Sequence, residues 1–306
     1  MKQVFTTKNF QAKTLDTIHR ANSVIQDYQR QGYTLTLRQL YYQLVAQDYI
    51  PNSDKSYKQL GGIISDARLA GLIDWGAIED RTRNLSPYSA WDNPAHIIES
   101  AYNSFRVNPW KEQPYYVEVW VEKEALAGVV ENACSLYRVR HFSCRGYVSQ
   151  SEMYFAGQRL ATEHKARRNG RAVQIIHLGD HDPSGLDMTR DVVERLAMFA
   201  GVQIEVQRIA LNYDQIQTYN PPPNPAKMTD TRFRDYESRY GASSWELDAL
   251  PPNVLVDLIR SKIAQFIDKK AWAQALAEES DSRAQLKQAA ERWGEVAQFL
   301  EDKKQP

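Results

Sequence analysis

Apolar side chains recur at helical spacing through the first seventy residues of the chain. The pattern predicts three helices, over residues 9–31, 37–47 and 56–70, and Thr36 is suited to cap the second of them. A short strand is predicted from residue 71 to 75, followed by an exposed loop at 81–84. Three helices followed by a strand-like hairpin are typical of a winged helix, although a generic small helical domain fits the same pattern.

From residue 113 the pattern changes to apolar runs that alternate with amphipathic stretches. The runs predict buried strands at 115–121, 173–178 and 203–211, and the stretches predict helices near 124–137, 150–168 and 184–200. Strands that alternate with helices indicate a parallel sheet with helices on its faces. A proline-rich loop at 221–225 interrupts all regular structure, and helices are predicted beyond it at 252–279 and 282–301.

Composition adds limits to this outline. The 306 residues include 38 Lys and Arg against 38 Asp and Glu, so the net charge is zero and a strongly basic coat is excluded. Residues 138–171 nevertheless hold eight basic and two acidic side chains, a local charge of +6 (8 − 2). Two cysteines and the lack of any signal-like or membrane-spanning stretch predict a cytoplasmic protein with no membrane association, near the nucleoid if its source is bacterial or a phage.

Carboxylates follow two of the predicted strands. Glu122 ends the first, and Asp180 and Asp182 follow the second, so they converge if the two strands are neighbours in the sheet. Three such carboxylates repel one another unless a cation lies between them, and oxygen ligands alone favour Mg²⁺. Alternatively, Asp182 and Pro183 simply start a helix, and Glu122 with Lys123 forms a solvated strand end.

Two segments around these carboxylates carry a family resemblance. Val119-Trp120-Val121-Glu122-Lys123-Glu124-Ala125-Leu126 and Gly179-Asp180-His181-Asp182-Pro183-Ser184-Gly185 resemble the Toprim domain of type IIB topoisomerase (topoisomerase VI) A subunits and their meiotic double-strand-break relatives. The resemblance implies that Glu122, Asp180 and Asp182 hold Mg²⁺. His181 departs from the pattern, because the family usually has a small residue there.

A segment of the second predicted helix resembles the winged-helix motif of the same family. In Thr36-Leu37-Arg38-Gln39-Leu40-Tyr41-Tyr42-Gln43-Leu44, the resemblance implies that Tyr42 is the nucleophile and Arg38 its helper. The two lie one helical turn apart, and a cation there favours the phenolate. The alternative is that one or both tyrosines are core aromatics, which we expect of Tyr41.

Basic residues at three places are candidates for contacts with DNA phosphates. They are Lys55, Lys58 and Arg68 on the third helix, Arg81 and Arg83 on the predicted wing, and Lys165, Arg167 and Arg168 before the second strand. A solvated helical face explains any single one of them equally well.

Together these observations predict an α/β protein with a winged-helix domain at 1–112 and a Toprim domain, a Rossmann-like parallel sheet with C-terminal helices, at 113–306. The resemblance implies Mg²⁺-dependent cleavage of DNA by tyrosine transesterification, giving protein-linked double-strand breaks. It also implies a symmetric homodimer in which the tyrosine of one protomer meets the metal site of the other. No Walker-type loop is present, and nothing in the chain resembles the ATPase subunit that drives strand passage in the family. A separate GHKL-type ATPase subunit is therefore a candidate partner.

Two other functions fit the same sequence. One is a Toprim nuclease that activates water, with Tyr42 as a structural residue, and the other is a non-catalytic DNA-binding or scaffold protein that acts with a partner ATPase. The resemblance assigns no role to the proline-rich loop or to residues 245–250.

Overall fold

The computed structural model of the chain describes residues 2–78, 90–167 and 170–303. The predicted DNA contacts Arg81, Arg83 and Arg168 lie outside these ranges. The fold is mixed α/β and divides into two compact units, one of residues 1–83 and 117–265 and the other of residues 84–116 and 266–306. The predicted domain ranges, 1–112 and 113–306, stay predictions.

Three helices at the start of the first unit confirm the helical pattern there. They are α1 (Ala12–Arg30), α2 (Leu37–Ala46) and α3 (Asp54–Leu69). Thr36 caps α2 in a capping box with Gln39, as the sequence predicted for the cap. Their facing sides pack around Ile18, Leu40 and Leu60, which are almost fully buried.

The strand predicted at residues 71–75 is wrong. Gly71 has a positive φ of 71° and turns the chain after α3, and Asp74 then caps a short 3₁₀ turn at Trp75–Ala77. Among the described residues, isolated bridges form beside it, from Val4 to Ala70 and from Leu35 to Ile78. The left-handed glycine and the capping aspartate outweigh the apolar pattern locally.

The remaining helices and strands are, in chain order, α4 (Pro94–Ser104), β1 (Tyr115–Val121), α5 (Ala127–Ser135), β2 (Arg140–Ser143), α6 (Gln150–Lys165), β3 (Ala172–Leu178), α7 (Pro183–Ala200), β4 (Glu205–Ala210), α8 (Tyr213–Tyr219), β5 (Asn224–Pro225), α9 (Phe233–Tyr240), β6 (Ser243–Ser244), α10 (Pro252–Ala264), α11 (Lys269–Glu291) and α12 (Trp293–Asp302). Among the described helices, none is long and apolar enough to cross a membrane.

The first unit is built on a four-stranded parallel sheet in the order β2-β1-β3-β4. The three predicted strands are confirmed. The sequence missed β2, because this short edge strand begins with the exposed polar pair Arg140 and His141 and shows no apolar run. A second ladder pairs β5 with β6, so the proline-rich segment ends in two residues of regular structure.

Strands β1 and β3 are neighbours, which is the condition on which the predicted carboxylate site depended. The N–H of Glu122, the residue after β1, donates at 2.9 Å to the carbonyl of Leu178, the last residue of β3. The loops that follow these strands therefore start side by side at the carboxyl edge of the sheet.

The second unit is mainly helical, with α4 packed against α11. Trp110 and Trp272 meet edge to face there, with ring centroids 5.7 Å apart. The predicted helix bounds 252–279 and 282–301 are wrong, because α10 ends at Ala264 and α11 runs continuously through residues 279–282. Asp268 accepts the N–H groups of Lys270 and Ala271 and so starts α11 at that point.

Candidate active site

Helix α2 presents the predicted nucleophile and its helper on one face. The Arg38 guanidinium carbon lies 5.8 Å from the centroid of the Tyr42 ring, one turn away along the helix. Only 5% of Tyr42 is exposed, and its ring packs edge to face on Tyr41 at a centroid distance of 5.2 Å. Tyr42 is thus a buried side chain whose polar surroundings lie on the Arg38 side.

Tyr41 is a core residue, as expected. Its hydroxyl donates to the Asn52 side-chain oxygen at 3.0 Å and accepts the Ser53 N–H at 2.7 Å. Its ring also packs against Tyr57. These contacts fix the turn between α2 and α3.

Glu122 and Asp180 are joined at the edge of the sheet. The Glu122 carboxylate accepts the Asp180 N–H at 2.8 Å. Asp180 in turn accepts the Leu247 N–H at 2.8 Å with one oxygen and contacts the Lys123 ammonium at 2.9 Å with the other. Both carboxylates are buried, and each accepts a hydrogen bond from a backbone N–H, which offsets part of the cost of burial.

Asp182 caps α7. Its Oδ1 accepts the Gly185 N–H at 2.6 Å and the Ser184 hydroxyl at 2.9 Å, and Pro183 occupies the first turn. The helix-start interpretation of Asp182 is therefore confirmed. The same side chain also lines the cavity described next.

One cavity of about 710 Å³ brings the predicted catalytic and metal residues together within a single chain. Its walls include Arg38, Tyr42, Glu122, Asp180 and Asp182. Segments that the sequence left without a role complete the walls, namely the turn after α2, the β5 region and Glu246.

Lys123, Glu246 and Asp248 are functional candidates that sequence reasoning missed. The Lys123 ammonium contacts Asp180, Glu246 and Asp248, the last at 3.1 Å. Arg38 contacts the same two acids, Glu246 at 3.0 Å and Asp248 at 3.1 Å. Lys123 is therefore not part of a solvated strand end, because these acids enclose it and leave only 16% of its side chain exposed.

The surroundings of Tyr42 disfavour its phenolate. Burial raises the pKa of Tyr42 to about 12, and Glu246 and Asp248 add to this effect, whereas Arg38 and Lys123 lower the pKa. Arg38 lowers the pKa of Tyr42, as expected. The net shift of that pKa is nevertheless upwards, which is the opposite of the expected direction. Attack by Tyr42 thus requires a step that removes its proton or offsets the neighbouring negative charge.

Burial disfavours the ionised form of two of the carboxylates, so a nearby cation would stabilise them. Burial raises the pKa of Asp180 well above its ordinary value, and nearby Glu122 contributes; burial likewise raises the pKa of Glu122. Within residues 2–78, 90–167 and 170–303, no three His, Cys, Asp or Glu side chains are gathered closely enough to hold a metal ion. The oxygen-only donors on one cavity wall fit Mg²⁺ chemically, while Lys123 supplies the positive charge next to Asp180.

Arg208 fixes the loop that carries Asp180 and Asp182. From the middle of β4, its guanidinium donates to four backbone carbonyls and one hydroxyl, those of Gly179, Asp180, Gly185, Leu211 and Thr189. Burial lowers the pKa of Arg208, and the three carboxylates Glu122, Asp180 and Asp182 oppose that shift. This half-buried cation holds the loop through its hydrogen bonds.

Gly185 is required by close packing in the same loop. A Cβ at this position would overlap the Asp180 carbonyl oxygen. We therefore expect Gly185→Ala to lower the free energy of unfolding by about 1–3 kcal/mol, measured by urea denaturation. Gly62→Ala is the matched control, since a Cβ on this helical glycine meets nothing within 4 Å and should stabilise α3 by about 0.5–1 kcal/mol. Equal stabilities of the Gly185 variant and the wild type would contradict the packing argument.

The predicted DNA contacts have different surroundings. Lys55 and Lys58 are exposed on α3, and Lys165 and Arg167 are exposed at the end of α6. Arg68 instead donates to the carbonyls of Trp75, at 3.1 Å, and Ile78, so it fastens the turn after α3. None of these positions lines the cavity, and their contact with DNA stays a prediction.

Part of the basic stretch 138–171 is neutralised within the fold. Arg159 forms a two-pronged ion pair with Glu118, at 3.0 and 2.9 Å, and Arg171 pairs with Glu163 at 3.1 Å with only 3% of its side chain exposed. The local charge of +6 therefore overstates the basic surface of this region.

His181, which departs from the family pattern, is a packed residue. Its Nδ1 lies 2.9 Å from the Tyr236 hydroxyl, and its ring contacts Tyr240 at a centroid distance of 4.6 Å. Its backbone bonds in both directions with Trp245, which anchors the segment that leads to Glu246. Burial lowers the pKa of His181 to about 4, so the ring is neutral at pH 7.

Comparison with profiles of known protein families finds no match for the chain, and none is found among curated proteins or solved structures.

Proposed function

We propose that the chain cleaves DNA by attack of the Tyr42 hydroxyl on a phosphodiester. A bond forms between the tyrosine oxygen and phosphorus, and the bond from phosphorus to the 3′ oxygen breaks. Tyr42 is left joined to the DNA 5′ end, and the leaving 3′ oxygen takes up a proton. This is the reaction implied by the resemblance to type IIB topoisomerase A subunits, with a winged-helix domain and a Toprim domain as its parts.

The observation that carries this proposal is the shared cavity. Residues from two motifs more than 75 positions apart, Arg38 and Tyr42 on α2 and the three carboxylates after β1 and β3, line one space. A nucleophile, a guanidinium and carboxylates within one cavity are the components that phosphodiester transesterification needs. The resemblance alone did not require them to meet in a single chain.

Arg38 is the group that assists Tyr42 most directly. Its charge lowers the pKa of Tyr42 and so stabilises the phenolate as the proton leaves. Because the guanidinium carries five N–H donors, it can also bind the non-bridging oxygens of the phosphate under attack. Arg38 thus serves the tyrosine before attack and the phosphate during it.

By the same resemblance, Glu122, Asp180 and Asp182 would hold Mg²⁺, and they would have to draw closer together than they lie in this structure to do so. When bound, the ion supplies positive charge that stabilises the phosphate oxygens in the transition state. The raised pKa values of Glu122 and Asp180 support the assignment, since carboxylates in such surroundings gain most from a nearby cation.

A second candidate, hydrolysis of DNA by activated water, is favoured by the state of Tyr42. This side chain is 5% exposed, and its pKa is raised to about 12, as in a structural tyrosine. In that reaction the carboxylates alone define the active site, and no protein-linked end forms.

Tyr42→Phe separates the two candidates. We expect protein-linked ends to fall at least about a thousandfold, because the nucleophilic oxygen is gone. Supercoiled plasmid is incubated with protein and Mg²⁺, stopped with detergent, and run on gels with and without protease digestion. Loss of the protease-sensitive bands in the variant is the expected result.

Tyr41→Phe is the matched control, since its hydroxyl bonds to the turn at Asn52 and Ser53 and takes no part in the attack. It should keep the protein-linked ends. Free DNA ends that persist in Tyr42→Phe would overturn the transesterase and support the nuclease. DNA binding without any cleavage, unaffected by Asp180→Asn, would leave a non-catalytic binding or scaffold role.

Cutting of both strands needs two active sites. We therefore propose that the working form is a homodimer on DNA, with one tyrosine for each strand. Strand passage would fall to a separate GHKL-type ATPase subunit.

A further inference from the structure

Glu246 and Asp248 form an acidic clamp on Arg38. Glu246 meets the Arg38 Nη2 at 3.0 Å, and Asp248 lies 3.1 Å from the Arg38 Nε. The Asp248 side chain is fully buried, and its Oδ2 forms no hydrogen bond other than this ion-pair contact. Burying an acid in this way is costly unless a cation is held against it. The acidic clamp therefore fixes the position of Arg38.

The same acidic clamp is tied to the carboxylate site. Glu246 and Asp248 both contact the Lys123 ammonium, which also contacts Asp180 at 2.9 Å. Between the two acids, the Leu247 N–H donates to Asp180 at 2.8 Å. A continuous chain of opposite charges thus runs from Arg38, beside Tyr42, to Asp180.

Apolar packing joins the same two places. The 3₁₀ turn Leu247–Ala249 packs on α2, and Ala249 belongs to the hydrophobic core formed by α1, α2 and α3. In the turn after α2, the Asn52 amide donates to the Pro223 carbonyl at 3.3 Å and to the Asn224 side chain. The sheet-bearing part of the chain thus contacts both the tyrosine helix and the turn that follows it.

We propose that Glu246 and Asp248 are positioning residues that hold Arg38 and the tyrosine helix against the carboxylates of the same chain, so that the tyrosine and the carboxylates of one cleavage site come from one chain. The proposal rests on the function proposed above and deepens it. It differs from the arrangement that the family resemblance implies, in which the tyrosine and the metal site come from different protomers. A dimer would then pair two complete sites.

Mixing two inactive variants tests whether the site lies within one chain. Tyr42→Phe and Asp180→Asn chains are co-expressed with different tags and purified through both tags, and plasmid cleavage is assayed with and without protease. In a dimer with complete sites in each chain, the mixture should cleave no more than either variant alone. Wild-type protein that cleaves as a monomer would give the same answer.

The mixing experiment distinguishes failure of the single-chain site from failure of the proposed function. Protein-linked cleavage by the mixture, with each variant inactive alone, would overturn the single-chain site and leave the proposed function standing. Full protein-linked cleavage by either variant alone would overturn the proposed function, and this inference would fall with it.

The acidic clamp itself is tested by Glu246→Gln combined with Asp248→Asn. We expect the single-turnover rate at saturating DNA to fall about 100-fold, because Arg38 and Tyr42 lose their fixed geometry, while the Kd for DNA changes less than about twofold. Glu237→Gln combined with Asp214→Asn, two exposed acids on α9 and α8, is the matched control and should cleave like the wild type.

An unchanged rate, a faster rate, or an equal loss of DNA affinity would each overturn the positioning role. Circular dichroism and a melting curve establish whether the clamp variant folds. If it does not, the mixing experiment on chains with an intact clamp still decides the proposal.

Discussion

Lys123→Met is expected to lower the free energy of unfolding by about 3–5 kcal/mol, the cost of leaving buried charges without their partner. The ammonium contacts Asp180, Glu246 and Asp248, and among the described residues no other cation forms an ion pair with the Asp180 carboxylate. Burial lowers the pKa of Lys123, but these three carboxylates outweigh burial and raise it, so the lysine is charged in the folded protein. Urea denaturation at pH 7 without divalent cations measures the loss.

Lys58→Met is the matched control for this experiment. Lys58 is exposed on α3, so its replacement should change the unfolding free energy by less than about 0.5 kcal/mol. A Lys123 variant as stable as this control would mean that the charges near Asp180 are compensated in another way.

Arg208→Met is expected to have a similarly large effect, about 3–5 kcal/mol of unfolding free energy. The substitution removes hydrogen bonds from four backbone carbonyls and one hydroxyl and also removes a half-buried positive charge close to Glu122 and Asp180, both of which are buried. Unfolding by urea or heat measures the loss.

Two further substitutions, one at Arg208 and one at an exposed arginine, separate the effect of charge from that of the hydrogen bonds. Arg208→Lys keeps the charge but cannot reach all five acceptors from one ammonium, so it should recover only part of the stability. Arg234→Met, on the exposed side of α9, should stay within about 0.5 kcal/mol of the wild type. Full recovery in Arg208→Lys would show that charge, and not the fork of hydrogen bonds, holds the loop.

Much of the first unit could be predicted from periodicity and caps. The α1–α3 helices and the three long strands have strong apolar patterns, and Thr36 and Asp182 are caps that the sequence identified. The failures fall where the pattern is weak or misleading. The edge strand β2 is short and polar. After residue 252 the helical pattern continues without interruption, although Asp268 caps a new helix there.

The candidate site was predictable only as far as local motifs extend. Arg38, Tyr42 and the carboxylates lie in recognisable segments, whereas Arg208, Glu246 and Asp248 act through contacts with distant positions, such as the 29 positions between Gly179 and Arg208 and the 208 between Arg38 and Glu246. One signal was available, since Arg208 interrupts an otherwise apolar strand ending. The net effect on the pKa of Tyr42 could not be predicted, because it depends on two acids that only the fold brings near.

The spread of the cavity walls along the chain also bears on synthesis. Arg38 and Tyr42 leave the ribosome first, the carboxylates follow after residues 122 and 180, and Glu246 and Asp248 come last. Contacts between such distant segments form late in folding, because the entropy lost in closing a long loop precedes the stabilisation that the contacts provide. On the proposed function, a chain that has not yet been synthesised as far as residue 248 carries the nucleophile without the acids that position Arg38, so we expect it to cut DNA only slowly.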